Sequence, residues 1–150
     1  MIRDDIQAAQ IAAMKARDTA TLNASRLILA AIKNRDIELR TSASTPDDDV
    51  VVTEVMQKMI KQRRESVELY QKGGRQELAD AELAEIAVIE RFLPQQMSEE
   101  EAASAIDAIA TELGATSVKD MGRVMAAMKE RHAGQLDMSK ASALVKARLA

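Results

Sequence analysis

The single histidine is the first side chain in this sequence that could support metal binding or acid–base chemistry. The chain holds no second histidine, and no Glu-x-x-His spacing precedes His132, so the usual helical metal-ligand pattern is missing. An isolated histidine near a helix end usually interacts with the helix dipole and with solvent. We therefore favour that interpretation of His132 over a metal ligand.

Two acidic groups are the next candidates. Asp47–Asp49 lack the alternation of a calcium loop and its later glycine and glutamate, so we interpret them as the first turn of a helix, where the dipole favours negative charge. Glu82 and Glu85 have no nucleophile or base nearby in sequence, and a solvated or ion-paired helix face is the simpler interpretation. No metal site is predicted.

Motifs for cofactors and activated nucleophiles are also missing. The sequence has no Gly-x-x-x-x-Gly-Lys loop, no Gly-x-Gly-x-x-Gly, no Gly-x-Ser-x-Gly and no cysteine. Nothing would cradle ATP phosphates, activate a serine or supply a thiolate. We expect no cofactor, no catalytic residue and no enzyme activity of this chain by itself.

Basic residues are distributed more informatively. Residues 94–116 contain five acids and no lysine or arginine, whereas seven bases and three acids follow from Ser117 to the end, a local charge of +4 in a chain of net charge −3. Solvated helix faces would explain this pattern as well as a nucleic-acid surface would.

One predicted helix gives the nucleic-acid alternative a geometry. At 100° per residue, Lys119 and Arg123 lie opposite the apolar side and flank Gly122 and Ala126. Small residues beside two cations allow close approach of a phosphate backbone, or they simply admit a neighbouring helix. The further candidate RNA-binding residues, as supporting charge, are Lys129, Arg131, Lys140 and Lys146.

The elements that must position these residues are all predicted to be helices. Hydrophobic residues make up 47% of the 150 residues, yet Tyr70 and Phe92 are the only aromatics, so the core must consist of Ala, Leu, Ile, Val and Met, mostly good helix formers. An N-terminal bundle of about four helices is expected. Its helices should span 2–16, from a cap at Asp18 or Thr19 to about 40, from an N-cap at Thr45 with Pro46 at the first helical position to about 72, and onward from Gly73-Gly74 to Pro94.

Three shorter helices should form a small C-terminal domain. Ser98 with Glu101 reads as a capping box for the first, which ends at Gly114. Ser117 with Asp120 should open the second, which ends near Gly134, and Asp137 should cap the third. Because Pro94-Gln95-Gln96 separates the two groups, we predict an N-terminal domain, 1–94, and a C-terminal tail domain, 95–150.

The location expected from composition is cytoplasmic. The opening residues, Met1-Ile2-Arg3-Asp4-Asp5, are acidic where a signal peptide is basic, and no run of 18 apolar residues occurs. The absence of cysteine agrees with this expectation. No membrane partner is predicted.

Several segments resemble the YqeY family over essentially the whole chain, in order and with its spacings. They are Ala13-Met-Lys-Ala-Arg-Asp18, Lys61-Gln-Arg-Arg-Glu-Ser-Val-Glu-Leu-Tyr70 continuing Gln71-Lys-Gly-Gly-Arg75, Phe92-Leu-Pro-Gln-Gln-Met-Ser98, Lys119-Asp-Met-Gly-Arg-Val-Met125 and Gly134-Gln-Leu-Asp137. The family is similar to the C-terminal part of the GatB component of the tRNA-dependent amidotransferase (the GatB/YqeY domain). The resemblance implies a helical bundle followed by a three-helix tail that helps to hold tRNA, and an association with carbon–nitrogen ligases.

Two positions depart from the family pattern. Arg91 stands where the family often has an aromatic, and Gln135-Leu136 replaces the more usual Arg-Ala before Asp137, which removes one expected cation.

Three functions follow, in this order of preference. The first is a tRNA-associated binding module that contacts folded RNA through phosphates, since the near absence of aromatics leaves almost no capacity for stacking on splayed bases. The second is a protein–protein adaptor of the translation or aminoacylation machinery, docking on an aminoacyl-tRNA synthetase or an amidotransferase. The third is an accessory part of a carbon–nitrogen ligase that acts only with partner subunits.

Overall fold

The computed structural model describes residues 1–42, 46–132 and 134–150. These ranges contain seven α-helices, one short 3-10 segment and no strand, which confirms the all-α class. The helices are α1 (Ile2–Ala16), α2 (Thr19–Leu39), α3 (Asp48–Lys72), α4 (Gln76–Glu90), α5 (Glu99–Leu113), α6 (Met121–His132) and α7 (Met138–Leu149), with the 3-10 segment at Val118–Asp120.

The chain divides into two compact units, here called the N-terminal unit (Met1–Leu93) and the C-terminal unit (Pro94–Ala150). In the N-terminal unit, α3 packs chiefly on α4 and α1 on α2. Its core is aliphatic and methionine-rich, as the composition predicts, and the fully buried side chains include Ile6, Ile28, Ile32, Met56 and Ile89. Burying each such side chain contributes about 1.5–3 kcal/mol.

An arginine links three helices of the N-terminal unit. The Arg3 guanidinium donates to both carboxylate oxygens of Asp36, at 2.7 and 2.9 Å, and of Asp48, at 2.7 and 3.2 Å. The two carboxylates raise the pKa of Arg3 further above its ordinary value, and Arg3 lowers the pKa of Asp36. This cluster ties the start of α1 to the end of α2 and the start of α3.

The beginning of α3 differs from the prediction. Asp47 is the N-cap, with a side-chain oxygen that accepts from the Asp49 N–H at 3.0 Å, and the helix begins at Asp48. Pro46 therefore precedes the cap and is not the first helical residue, while Thr45 lies outside the described residues. The Asp47 carboxylate lies one residue before the helix and accepts from a backbone N–H that has no partner within the helix. Asp47 is therefore better placed to cap the helix than Thr45, which is two residues further away in sequence.

The end of α4 also differs. The helix ends at Glu90, and Leu93 N–H bonds to the Glu90 carbonyl at 3.2 Å in a tighter turn. Pro94 disturbs the helical turn before it, because it has no N–H to donate to the Glu90 carbonyl and its ring crowds that carbonyl. Proline thus stops the helix four residues earlier than its own position.

The C-terminal unit has its own core, in which Ile106, Val124, Met128 and Val145 are at most 1% exposed. Ser98 caps α5 by accepting from the Glu101 N–H at 3.1 Å. The helix ends at Gly114 with φ 65°, the left-handed conformation that glycine adopts without strain.

The start of α6 is not built as predicted. Ser117 makes no side-chain cap bond, and the 3-10 segment comes first. Asp120 instead accepts from the Thr116 N–H at 3.1 Å. The side chain that stabilises this turn is therefore the Asp120 carboxylate and not the Ser117 hydroxyl. The helix ends at His132, and Asp137 then caps α7 as predicted, accepting from the Ser139 N–H at 2.8 Å.

Candidate nucleic-acid interface

The candidate interface lies on α6, whose two sides differ in burial. Val124 and Met128 are fully buried against the rest of the C-terminal unit. On the opposite side Gly122, Arg123 and Ala126 are exposed, followed by Lys129 and Glu130. The 3.6-residue period therefore produces the amphipathic helix that the sequence predicts.

Gly122 borders open space. A Cβ atom built on this glycine would meet no heavy atom within 4 Å. Within the described residues, no neighbouring helix packs against this position, which counts against the interpretation that Gly122 admits one. The surface is free for close approach from outside the unit.

Arg123 is held by the 3-10 segment that precedes its helix. Its guanidinium donates to Asp120 at 2.8 Å, one turn away. This hydrogen bond, with the Thr116 N–H, lowers the pKa of Asp120 below its ordinary value. Arg123 is thus well positioned, but a carboxylate already compensates its charge.

Arg131 is paired with an acidic residue of α5. It forms a two-pronged pair with Glu112 at 2.6 and 3.0 Å. The pairing raises the pKa of Arg131 and lowers that of Glu112. Arg148 on α7 makes a comparable pair with Asp107 of α5. Acids from α5 therefore reduce the local charge of residues 117–150 from +4 to +2.

The lysines are placed differently. All four of this unit are exposed, and among the residues the structure describes none forms an ion pair: Lys119, Lys129, Lys140 and Lys146. Lys119 and Lys129 flank the exposed side of α6, whereas Lys140 and Lys146 belong to α7. Of the predicted set, the α6 side unites Lys119, Arg123 and Lys129 with the two small residues.

The ion pairs of the C-terminal unit are the feature that sequence reasoning missed. One signal was available, since the acid-only stretch before Ser117 has to pack against the basic helices that follow. The same pairing occurs in the N-terminal unit, where Arg63 lies 2.8 Å from Glu85 and 3.9 Å from Glu82. This agrees with the interpretation of those two glutamates as an ion-paired helix face.

The two departures from the family pattern have structural surroundings of their own. Leu136 is buried in the C-terminal core, and the Gln135 carbonyl accepts from the Met97 N–H at 2.8 Å. The Arg91 guanidinium reaches the Thr21 hydroxyl at 3.4 Å. The turn before Asp137 thus closes the C-terminal unit and presents no cation.

His132 has a protein partner rather than a set of metal ligands. It is half-buried, with Nδ1 3.1 Å from the Gln135 side-chain oxygen. Residues 1–42, 46–132 and 134–150 contain no group of three His, Cys, Asp or Glu side chains arranged to hold a metal ion. No helix in those ranges combines the length and hydropathy needed to cross a bilayer.

Comparison with known proteins identifies relatives over most of the chain. The YqeY family model, described as Yqey-like protein, matches residues 3–149. "Altered inheritance of mitochondria protein 41, mitochondrial" of Eremothecium gossypii is 36% identical over 107 residues, 69% of this chain and 56% of the relative. The protein of the same name in Lachancea thermotolerans is 31% identical over 103 residues, 67% of this chain and 54% of the relative. The chain spans about half the length of these relatives.

The names of the relatives bear on the expected location of the protein and on its expected lack of enzyme activity. The cytoplasmic location expected from composition is wrong in the light of this comparison, because the relatives are named mitochondrial proteins. That expectation rested on the composition and opening residues of a chain that matches about half the length of these relatives. Their names state no enzyme activity.

Proposed function

We propose that this chain, which belongs to the YqeY family, is a tRNA-associated binding module without autonomous catalysis. Its C-terminal unit would contact folded RNA through phosphates, as the resemblance to the tail of the amidotransferase GatB component implies. The observation that carries the proposal is a pair of exposed lysines, Lys119 and Lys129, that form no ion pair within the part of the chain that the structure describes and lie beside the exposed Gly122 and Ala126.

The free lysines would make the primary phosphate contacts. A lysine ammonium without an intramolecular partner can take up a phosphate with no ion pair to break. Arg123 would contribute only by exchanging Asp120 for phosphate or by bridging both groups, and Arg131 is committed to Glu112 in the same way. Lys140 and Lys146 would supply further charge from α7.

Base stacking would contribute little. Tyr70 and Phe92, the only aromatics of the chain, are half-buried and pack against the core of the N-terminal unit. Phosphates, 2′-hydroxyls and the shape of folded RNA remain as the recognised features. The names of the relatives make mitochondrial tRNA a probe to test beside bulk tRNA.

The finer domain organisation belongs to the same proposal. We infer a four-helix N-terminal bundle and a three-helix C-terminal tail domain, with the boundary at residues 94–95, that fold as separate domains. The division into two compact units and their separate cores support this inference.

A protein–protein adaptor is the second candidate. The N-terminal unit leaves large apolar side chains in solvent, among them Ile11 (50% exposed), Met14 (53%) and Leu69 (69%), which a synthetase or an amidotransferase could cover. An accessory role in a carbon–nitrogen ligase would need partner subunits, and amide transfer by the purified chain alone would bring that role forward.

A gel-shift titration with bulk and mitochondrial tRNA, at low and at physiological salt, tests the proposal. We expect weak retardation at low salt that is lost as salt rises, because phosphate contacts release counterions. No retardation even at low salt would remove the RNA proposal. Salt-tolerant binding to a synthetase or amidotransferase, abolished by Met14→Asp or Leu69→Asp, would favour the adaptor.

A further inference from the structure

Lys119, in the 3-10 segment, and Lys129, near the end of α6, have a spacing that bears on the kind of RNA they fit. Lys119 and Lys129 are ten residues apart, at the two ends of the exposed side. At 1.5 Å per residue this separates their backbones by about 15 Å along the helix axis. Both side chains extend well beyond the helix, so their ammonium groups can contact phosphates on two different strands.

The surface between the two lysines is low. Gly122 and Ala126 project almost nothing, and Arg123 is drawn along the helix by Asp120. Gly122 has no conformational requirement for glycine, since it is not among the residues with positive φ, and no packing requirement within the described residues. Glycine in a helix costs about 0.5–1 kcal/mol relative to alanine. Close approach of another molecule to this surface would explain why a glycine occupies position 122.

The exposed side of α6 also lacks side chains suited to reading bases. It carries no Asn, Gln, Ser, Thr or aromatic residue, and its members are Lys119, Gly122, Arg123, Ala126, Lys129 and Glu130. Sequence-specific contacts in a major groove would use amide or bidentate arginine donors, and the arginine of this surface, Arg123, is already hydrogen-bonded to Asp120. The surface is therefore suited to shape and to phosphates.

We propose that α6 lies across the shallow minor groove of an A-form RNA duplex, with Lys119 and Lys129 on phosphates of opposite strands. The minor groove of A-form RNA is wide and shallow and displays 2′-hydroxyls, whereas its major groove is too deep and narrow for side chains to read. A helix about 10–12 Å across cannot enter the minor groove of B-form DNA, which is about 6 Å wide. This inference rests on the proposed function and narrows it to double-helical stems of folded RNA.

Glu130 is the carboxylate that such a complex has to tolerate. It is exposed next to Lys129, at the end of the surface, and it has no ion-pair partner among the described residues. A phosphate on Lys129 would be repelled by it. Glu130→Gln should therefore tighten duplex binding severalfold without touching the core.

The experiment measures the affinity of the full chain for four probes: a short RNA duplex of about two turns, the DNA duplex of the same sequence, either RNA strand alone, and bulk tRNA. The main variant is Gly122→Leu, whose Cβ meets no heavy atom within 4 Å and whose side chain would fill the low surface. The matched control is Ala108→Leu, at an exposed alanine on the acidic helix α5, and circular dichroism verifies that both variants fold.

We expect the RNA duplex to bind about tenfold more tightly than the DNA duplex, and Gly122→Leu to weaken RNA duplex binding about tenfold while Ala108→Leu leaves it unchanged. Equal affinity for the two duplexes, or equal affinity of the two variants, with tRNA binding intact, overturns this inference and leaves the proposed function standing. Failure to bind tRNA at low salt overturns both.

Discussion

Arginine and lysine side chains of the C-terminal unit have different surroundings, and the difference follows from their chemistry. The planar guanidinium offers paired donors that match a carboxylate, as Arg131 shows with both oxygens of Glu112. A lysine ammonium is a compact, strongly hydrated charge, and the four lysines remain in solvent. Among the described residues of this unit, the three arginines are paired with acids and the four lysines are in no ion pair.

The first prediction concerns Gly122→Ala. The new methyl group meets no atom within 4 Å, and alanine restricts the unfolded chain more than glycine does. We expect the free energy of unfolding to rise by about 0.5–1 kcal/mol, measured by urea denaturation. A loss of stability would show that this position has an internal packing role.

The second prediction concerns Glu112→Gln and pH. Because Arg131 lowers the pKa of Glu112 in the folded protein below the ordinary 4.5, the ion pair stabilises the fold above that value. This contribution is lost as the pH falls below 4.5 toward the lower folded-state pKa. Wild type should therefore melt above the variant at neutral pH, and the two curves should converge in acid. A difference that persists in acid would contradict the assignment.

The cations themselves could be predicted from the sequence, but their partners could not. Lys119, Arg123 and Gly122 share one side of α6 as the helical period requires. The pairs Arg131–Glu112 and Arg148–Asp107 join residues 19 and 41 positions apart. Such pairs depend on how α5 packs against α6 and α7, which no local pattern specifies.

Among the features of the helices, the N-caps whose side chain accepts from a backbone N–H in the first turn of the same helix were predicted correctly. Asp18, Ser98 and Asp137 each accept from a backbone N–H two or three residues ahead, a purely local interaction. The predictions that relied on proline positions were less accurate. Pro46 precedes its helix by two residues and Pro94 follows Glu90 by four. Proline disfavours helical conformation at the residue before it, and this local restriction gives a boundary only to within a few residues.

The third prediction concerns the cap of α5. Ser98→Ala removes the oxygen that accepts from the Glu101 N–H, which should cost about 1 kcal/mol of stability. Ser104→Ala, at an exposed position inside the same helix, is the matched control and should leave stability unchanged or raise it. Equal thermal melts for the two variants would show that Ser98 contributes nothing beyond its helix propensity.

At the scale of the whole molecule, the two hydrophobic cores share no residue. The N-terminal core contains most of the large aliphatic side chains, and the C-terminal unit has a smaller core of its own. Small domains are marginally stable because they bury a smaller fraction of their surface. We therefore expect the C-terminal unit to unfold first.

The fourth prediction tests separate unfolding in the full chain. Met128 is fully buried, and Met128→Ala should destabilise the C-terminal unit by about 2–5 kcal/mol. Tyr70, the only tyrosine, reports on the N-terminal unit alone. Its fluorescence transition should stay in place while part of the circular-dichroism transition moves to lower temperature. A common shift of both signals would mean one cooperative domain.

The salt dependence of tRNA binding decides whether α6 forms an RNA interface. Each neutralised phosphate contributes about 0.7–0.9 to the slope of log K against log salt. Replacing Lys119 and Lys129 by alanine should therefore flatten the slope by about 1.4–1.8. Lys15→Ala/Lys33→Ala, at exposed positions of α1 and α2, removes the same charge from the N-terminal unit and should leave the slope unchanged. Equal slopes for the two double variants would contradict an RNA interface on α6.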